Sequence, residues 1–277
     1  MFYVPYRLRE LREHTTPRGP DFRKAKPVIL DLSGNRLSLR LPRHNVDTQY
    51  DKPVHAHGEI DIYNSPYGGD LGAWRRGVVL HRTWKFVGPI FTGVLADMPF
   101  ELLLMTRQLA REETLFDPRV FEREIAYCLT EMYGEKKSYW TSIWQAPANW
   151  RRHPHLPVFA ASYDIVPKMT GSSPEKEFVF PLSNDCFVVL HFSQRQHMSG
   201  FLEEKDQLID RGSMEQLCQA IIASTRLELS AVSQQQLVRT QNAHPDARLS
   251  EHMAPLKWTT PEEDEKHAYY LTHRDEF

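Results

Sequence analysis

The sequence predicts an α+β fold, a mainly antiparallel sheet with packed helices. Three observations carry that expectation. Two strand–turn–strand patterns occur, at 27–41 and 177–192. A long extended stretch fills 77–96. Strand-like and helical segments come in blocks and not in steady βαβα alternation, which disfavours a doubly wound parallel sheet.

The first strand is read at 27–32 (PVILDL), followed by Ser33-Gly34-Asn35 and then 36–41, where Leu37, Leu39 and Leu41 alternate with polar residues. Alternation suits a half-buried strand, and the Ser-Gly-Asn turn makes a hairpin. A polar loop leads to a third alternating run at 59–63, and Gly68-Gly69-Asp70-Leu71-Gly72 reads as a flexible turn. After the extended stretch, Phe100, Leu103, Leu104, Leu109 and Ala110 fall at helical spacing, so a helix is expected over 99–112 with Pro99 in its first turn. Asp117-Pro118 reads as an N-cap and first-turn proline of a second helix presenting Val120, Phe121, Ile125, Leu129 and Met132, with Gly134 ending it. Irregular backbone is expected around Pro147, Pro154 and Pro157. Strands follow at 158–166, 177–182 and 186–192, the last two joined by Ser183-Asn184-Asp185. Ser213 is expected to cap a helix with Met214, Leu217, Cys218 and Ile221 inward, and an amphipathic piece spans 230–241. Thr260-Pro261-Glu262-Glu263 is a capping-box signature opening a C-terminal helix. The 277 residues are expected to make a single α+β domain. Two subdomains would divide near 150–157, although no linker composition demands it.

Composition narrows the function. A hydrophobic share of 41% and a charged share of 25% are ordinary for a globular chain. A formal charge of −2 argues against a direct nucleic-acid binder. The N-terminus lacks the apolar core of a signal peptide, and no apolar run reaches the ~18–20 residues that cross a bilayer. Cys128, Cys186 and Cys218 are an odd number with apolar neighbours, which suits buried thiols in a reducing compartment. A cytoplasmic protein without membrane contact is expected.

No complete catalytic or cofactor motif is present, and no cofactor is expected. His55, His57 and Glu59 would share one face of a strand and could offer three metal ligands. His153 and His155 repeat the spacing, and His81 and His191 lie in expected strands. There is no HExxH, CxxC, Gly-x-Ser-x-Gly or phosphate-binding loop. The aromatic block Tyr139-Trp140, Trp144 and Trp150 suits core packing first, a partner-binding face second and stacking of nucleobases or sugars third. Acidic partner-binding candidates are Glu203, Glu204 and Asp206, in a loop before the Ser213 helix, and the run Glu262-Glu263-Asp264-Glu265.

Across 84–192, the segment Trp84-Lys85-Phe86-Val87-Gly88-Pro89-Ile90-Phe91-Thr92-Gly93, followed by the expected Leu-rich helix and later by Phe178-Val179-Phe180-Pro181-Leu182-Ser183-Asn184-Asp185, resembles bacterial immunity proteins encoded beside type VI secretion toxins. That resemblance implies a non-enzymatic cytoplasmic inhibitor whose partner is a cognate secreted toxin, such as a nuclease, and which works by occluding the toxin's active site. It carries over no functional residue. A metal-dependent hydrolase of unrecognised family, built on His55, His57 and Glu59, and a structural assembly component are the alternatives.

Overall fold

The structure is a computed structural model that describes residues 14–46, 52–56, 58–64, 68–89, 92–109 and 111–272. The chain is α+β. It opens on β1 (Lys26–Leu32) and β2 (Asn35–Leu41), an antiparallel hairpin in the expected register. Its two turn residues, Ser33 and Gly34, both have positive φ (51° and 81°), the backbone whose twist matches the flanking strands. Asp31 accepts from the Gly34 N–H at 2.7 Å, and the Asn35 amide donates to Leu32 O at 2.9 Å.

Next come β3 (Val54–His55), β4 (Glu59–Ile60) and β5 (Gly68–Leu71). The run expected at 59–63 shortens to two residues, paired in parallel with β1. Residues 68–71, expected as a turn, form a strand because the backbone of β6 (Trp74–Val87) lies against them. A Cβ on Gly68 would sit 1.7 Å from Arg76 O, so only glycine fits there.

The largest departure is β7 (Val94–Arg107). The helix expected over 99–112 is not formed. Residues 94–107 are a strand, paired along β6 on one side and with β13 (Cys186–Ser193) and β14 (Arg195–Gln196) on the other. Leu102 and Leu104 face one side of the sheet while Leu103 and Met105 face the other, and all four are buried. A strand buried on both faces is apolar without alternation, and such a run also satisfies helical spacing. Pro99 is tolerated because pairing with β13 stops at Phe100 and pairing with β14 begins at Asp97, leaving a gap at the proline.

Helix α1 (Pro118–Leu129) begins as expected, with the Asp117 carboxylate accepting from Arg119 N, and runs into a wider turn at Thr130–Gly134. The short hairpin β8 (Lys137–Ser138) and β9 (Thr141–Ser142) leads to β10 (Trp144–Arg152), β11 (Ala161–Pro167) and β12 (Glu175–Pro181). The expected irregular stretch thus contains a strand, and 150–157 covers the end of β10 and the first part of its connection to its sheet neighbour β11. After β13 and β14 come α2 (Leu202–Leu208), α3 (Gly212–Ser224), β15 (Arg226–Glu228), α4 (Ala231–Ala243) and α5 (Pro261–Thr272). Helix α3 starts one residue before the expected cap: Asp210 accepts from Gly212 N at 2.8 Å, which leaves Ser213 inside the first turn. In α5, Thr260 and Glu263 cap each other reciprocally at 3.2 and 2.8 Å.

Among the described residues the strands form a nine-stranded sheet, with main order β10-β11-β12-β13-β7-β6-β3, and a four-stranded sheet, β15-β2-β1-β4. One face of the large sheet (Phe178, Phe180, Val188, Leu190, Leu102) packs against the small sheet and α3. The other (Leu103, Met105, Phe187, Val189) packs beneath α1. Cys128, Cys186 and Cys218 are buried free thiols, as expected. No helix among the described residues is long and apolar enough to cross a membrane.

Candidate functional site: a carboxylate–imidazole row beside an apolar cavity

On the α1 face, the apolar floor gives way to a line of polar side chains that crosses the strands. Register places Tyr163 opposite Glu177, Glu177 opposite His191, His191 opposite Glu101, and Glu101 opposite His81. Residues paired across strands share a face, so these five groups form one row over β11, β12, β13, β7 and β6. Tyr163 donates to Glu177 at 2.5 Å, and His191 Nδ1 lies 3.2 Å from the other oxygen of that carboxylate. His191 Nε2 is 3.9 Å from Glu175, which accepts from the Tyr133 hydroxyl at 2.5 Å. Glu101 binds Arg76 at 2.6 Å and stands 3.8 Å from His81 Nδ1.

The carboxylates of the row shift the imidazole, phenols and thiol around them. Burial alone pushes the His191 imidazole down, but the hydrogen bond to Glu177 and the charges of Glu175, Glu177 and Glu101 outweigh it, and its pKa is raised. Burial first, then Glu177 in both cases and Glu175 as well for Tyr133, holds the Tyr133 and Tyr163 hydroxyls well above the usual phenol range. Burial likewise raises the Cys128 thiol, with Glu177, Glu124 and Glu131 adding to it, so Cys128 is no activated nucleophile.

Between the row and α1 lies a cavity of about 320 Å³. Leu103, Met105, Ile125 and Val189 give it apolar walls, and Arg76, Lys136, Trp144, Glu175, Glu177 and His191 bring polar groups to it. An apolar hollow with a few convergent polar groups is the usual form of a small-molecule site. Lone titratable residues inside apolar strand runs, Glu101 in FELLLM and His191 in CFVVLHF, were the available sequence signal for it.

The candidates read from sequence fall elsewhere, with one exception. Trp144, 8% exposed, lines the cavity and contacts Tyr133 edge-on at 5.3 Å. Trp150 is equally buried, stacked on Tyr163 at 5.8 Å, with its N–H donated to Ser250 O at 2.9 Å. Burial removes both tryptophans from any partner-facing surface. Trp140 is exposed (41%), and so is Tyr139 (55%), at the tip of the β8–β9 hairpin. Both have positive φ, 62° and 47°, and Tyr139 stacks on Tyr270 of α5 at 4.4 Å. Lys137 binds Glu263 at 2.7 Å, and His267 Nδ1 lies 2.8 Å from Tyr139 O, so hairpin and helix are tied together.

Glu203, Glu204 and Asp206 lie on helix α2 instead of a loop. Glu204 accepts from Phe201 N at 2.9 Å as a cap, Asp206 binds Arg211 at 2.7 and 2.8 Å, and Glu203 is exposed. His55 ends β3 in the large sheet, whereas Glu59 begins β4 in the small one; Gly58 between them has φ 77° and breaks the single strand the metal reading requires. His57 lies outside the described residues. Among the described residues no group of three or more His, Cys, Asp and Glu side chains is arranged to hold a metal ion.

No family model matches the chain, and no curated protein or solved structure matches it either.

Proposed function

We propose that the chain is a binding protein that neutralises a secreted bacterial toxin by covering its active site, the role implied by the resemblance to immunity proteins. The observation that supports this reading is the Tyr139–Trp140 knuckle. Two consecutive non-glycine residues occupy left-handed backbone, which costs of order 1 kcal/mol or more each. Strain of this kind persists where surrounding structure fixes it, and here it holds two aromatic rings outward, where they gain little from core packing. Exposed, pre-organised aromatics are the usual anchors of tight protein interfaces. The exposed Glu262 and Glu265 lie on α5, the helix tied to the β8–β9 hairpin, and suit a partner with a basic, nucleic-acid-cleaving surface.

The test is co-expression with the toxin encoded in the adjacent gene. The intact chain is expected to protect cells and to co-purify with that toxin. Replacing Tyr139 and Trp140 together by alanine is expected to weaken the complex by about 2 kcal/mol or more, roughly 30-fold, while stability falls by no more than about 1.5 kcal/mol, the contribution of the Tyr139–Tyr270 stack. An intact chain that neither binds the neighbouring product nor protects against it ends this reading.

A further inference from the structure

The charges around the α1 cavity balance except at two points. Arg76 neutralises Glu101 at 2.6 Å, and His191 sits 3.2 Å from Glu177. Glu175 is held by the neutral hydroxyl of Tyr133. The nearest basic side chain to it is the His191 imidazole at 3.9 Å, already hydrogen-bonded to Glu177. Lys136 lies over the Tyr133 ring at 5.0 Å and has no ion pair among the described residues. One carboxylate and one ammonium group therefore face the same hollow without meeting each other.

Two donors there also lack acceptors. Of the seven buried side-chain polar atoms without a partner among the described residues, two belong to residues that line this cavity: Trp144 Nε1 and Arg76 Nε. Trp144 is more than nine-tenths buried. A buried N–H left unpaired costs about 1–3 kcal/mol, so an acceptor from outside the chain fits there. A purely anionic ligand would meet Glu175 and Glu177. A purely cationic one would leave both N–H groups unsatisfied, and an uncharged apolar one would leave every polar group unmatched. A molecule with both charges on one small centre and an apolar remainder meets all the requirements.

We propose that this cavity binds a free apolar α-amino acid, with its ammonium group at Glu175, its carboxylate toward Arg76, Lys136 and the Trp144 N–H, and its side chain on Leu103, Met105 and Val189. The volume of about 320 Å³ lies at the lower end of the ~300–1,000 Å³ usual for ligand pockets, as a ligand of this size requires. The site does not depend on the toxin-inhibitor reading, since the knuckle and this cavity involve different residues.

Isothermal titration calorimetry on the full chain at neutral pH tests the proposal, using L-phenylalanine, L-leucine, 2-phenylethylamine and 3-phenylpropionate as probes. At least one amino acid is expected to bind, and each phenyl analogue lacking one charge is expected to bind about tenfold or more weakly than L-phenylalanine, or not at all. Glu175→Gln and Lys136→Ala are each expected to weaken the amino acid about tenfold. Lys136 is exposed, so its variant keeps the fold, and the unfolding midpoint checks the other. No binding of either amino acid up to about 10 mM overturns the proposal. So does an analogue that binds as well as its parent, or binding that both variants leave unchanged.

Discussion

The two faces of the nine-stranded sheet are made by the same strands and carry opposite chemistry. Toward the small sheet, Phe178, Phe180, Leu190 and Leu102 form an apolar layer, and His153 is buried against Phe178 at 5.1 Å with its ring hydrogen-bonded to the Ser162 hydroxyl at 2.8 Å. Toward α1, His191 is also largely buried but stands among Glu175, Glu177 and Glu101. Burial, reinforced by the nearby positive charges of Arg151, His155 and Lys176, pushes His153 down to about 4, whereas His191 is raised. The same side chain is thus pushed down on one face and up on the other. Depth of burial does not decide its state; the presence of carboxylates does.

Removing the packing of the apolar face should have the largest effect. Phe178→Ala is expected to cost about 3–5 kcal/mol in urea unfolding, because Phe178 is fully buried between two sheets. A loss below about 1 kcal/mol would show that the apolar face is not the main store of stability.

The histidines give the second experiment. His153 has a folded pKa of about 4 against an ordinary 6.5, so the folded state binds fewer protons in that window. Its contribution is present above pH 6.5 and is lost as the pH falls toward 4, about 3 kcal/mol in all at 1.36 kcal/mol per unit. His153→Gln should remove that acid sensitivity. His191 has the opposite sign: its contribution is present below 6.5 and is lost as the pH rises through its raised folded value. Stability measured from pH 4 to 8 in the two single variants separates these slopes, and slopes of the same sign would break the comparison.

The smallest expected effect is Glu101→Gln, which leaves stability within about 1 kcal/mol because Glu101 is partly solvated. It should nevertheless lower the midpoint of the His191 imidazole in an NMR titration, since Glu101 is one of the three charges holding it up. A midpoint unchanged by this substitution would show that the row does not act as a unit.

Much of the fold could be read from local chemistry. The Ser33-Gly34 hairpin, the Asp117 cap and the Thr260–Glu263 capping box each depend on residues within a few positions, and each formed as expected. Strand β7 failed because Leu102 to Met105 are buried on alternate faces, and an unbroken apolar run has no period that distinguishes strand from helix. The polar row was illegible for a different reason. Its members lie on five strands, and His81 and His191 are 110 positions apart in sequence yet separated in the sheet only by Glu101. Only the register brings them together. The aromatic block divided because a strand beginning at Trp144 turns Trp144 and Trp150 inward, while the hairpin tip leaves Tyr139 and Trp140 outside.

The row also bears on how the sheet finds its alignment. Strands β12, β13 and β7 carry apolar residues on both faces, so sliding one past another by a residue would still bury hydrophobic side chains. Hydrophobicity alone therefore discriminates poorly between alignments of these three strands. A one-residue slip of β13 would carry His191 to the opposite face, among phenylalanines and leucines, and leave Glu177 and Glu101 without it. That slip leaves the buried Glu177 carboxylate without its imidazole partner, at a cost of about 1–3 kcal/mol. The polar groups act as alignment pins for the most apolar part of the molecule, and they penalise mispaired sheets during folding before any ligand or partner is met.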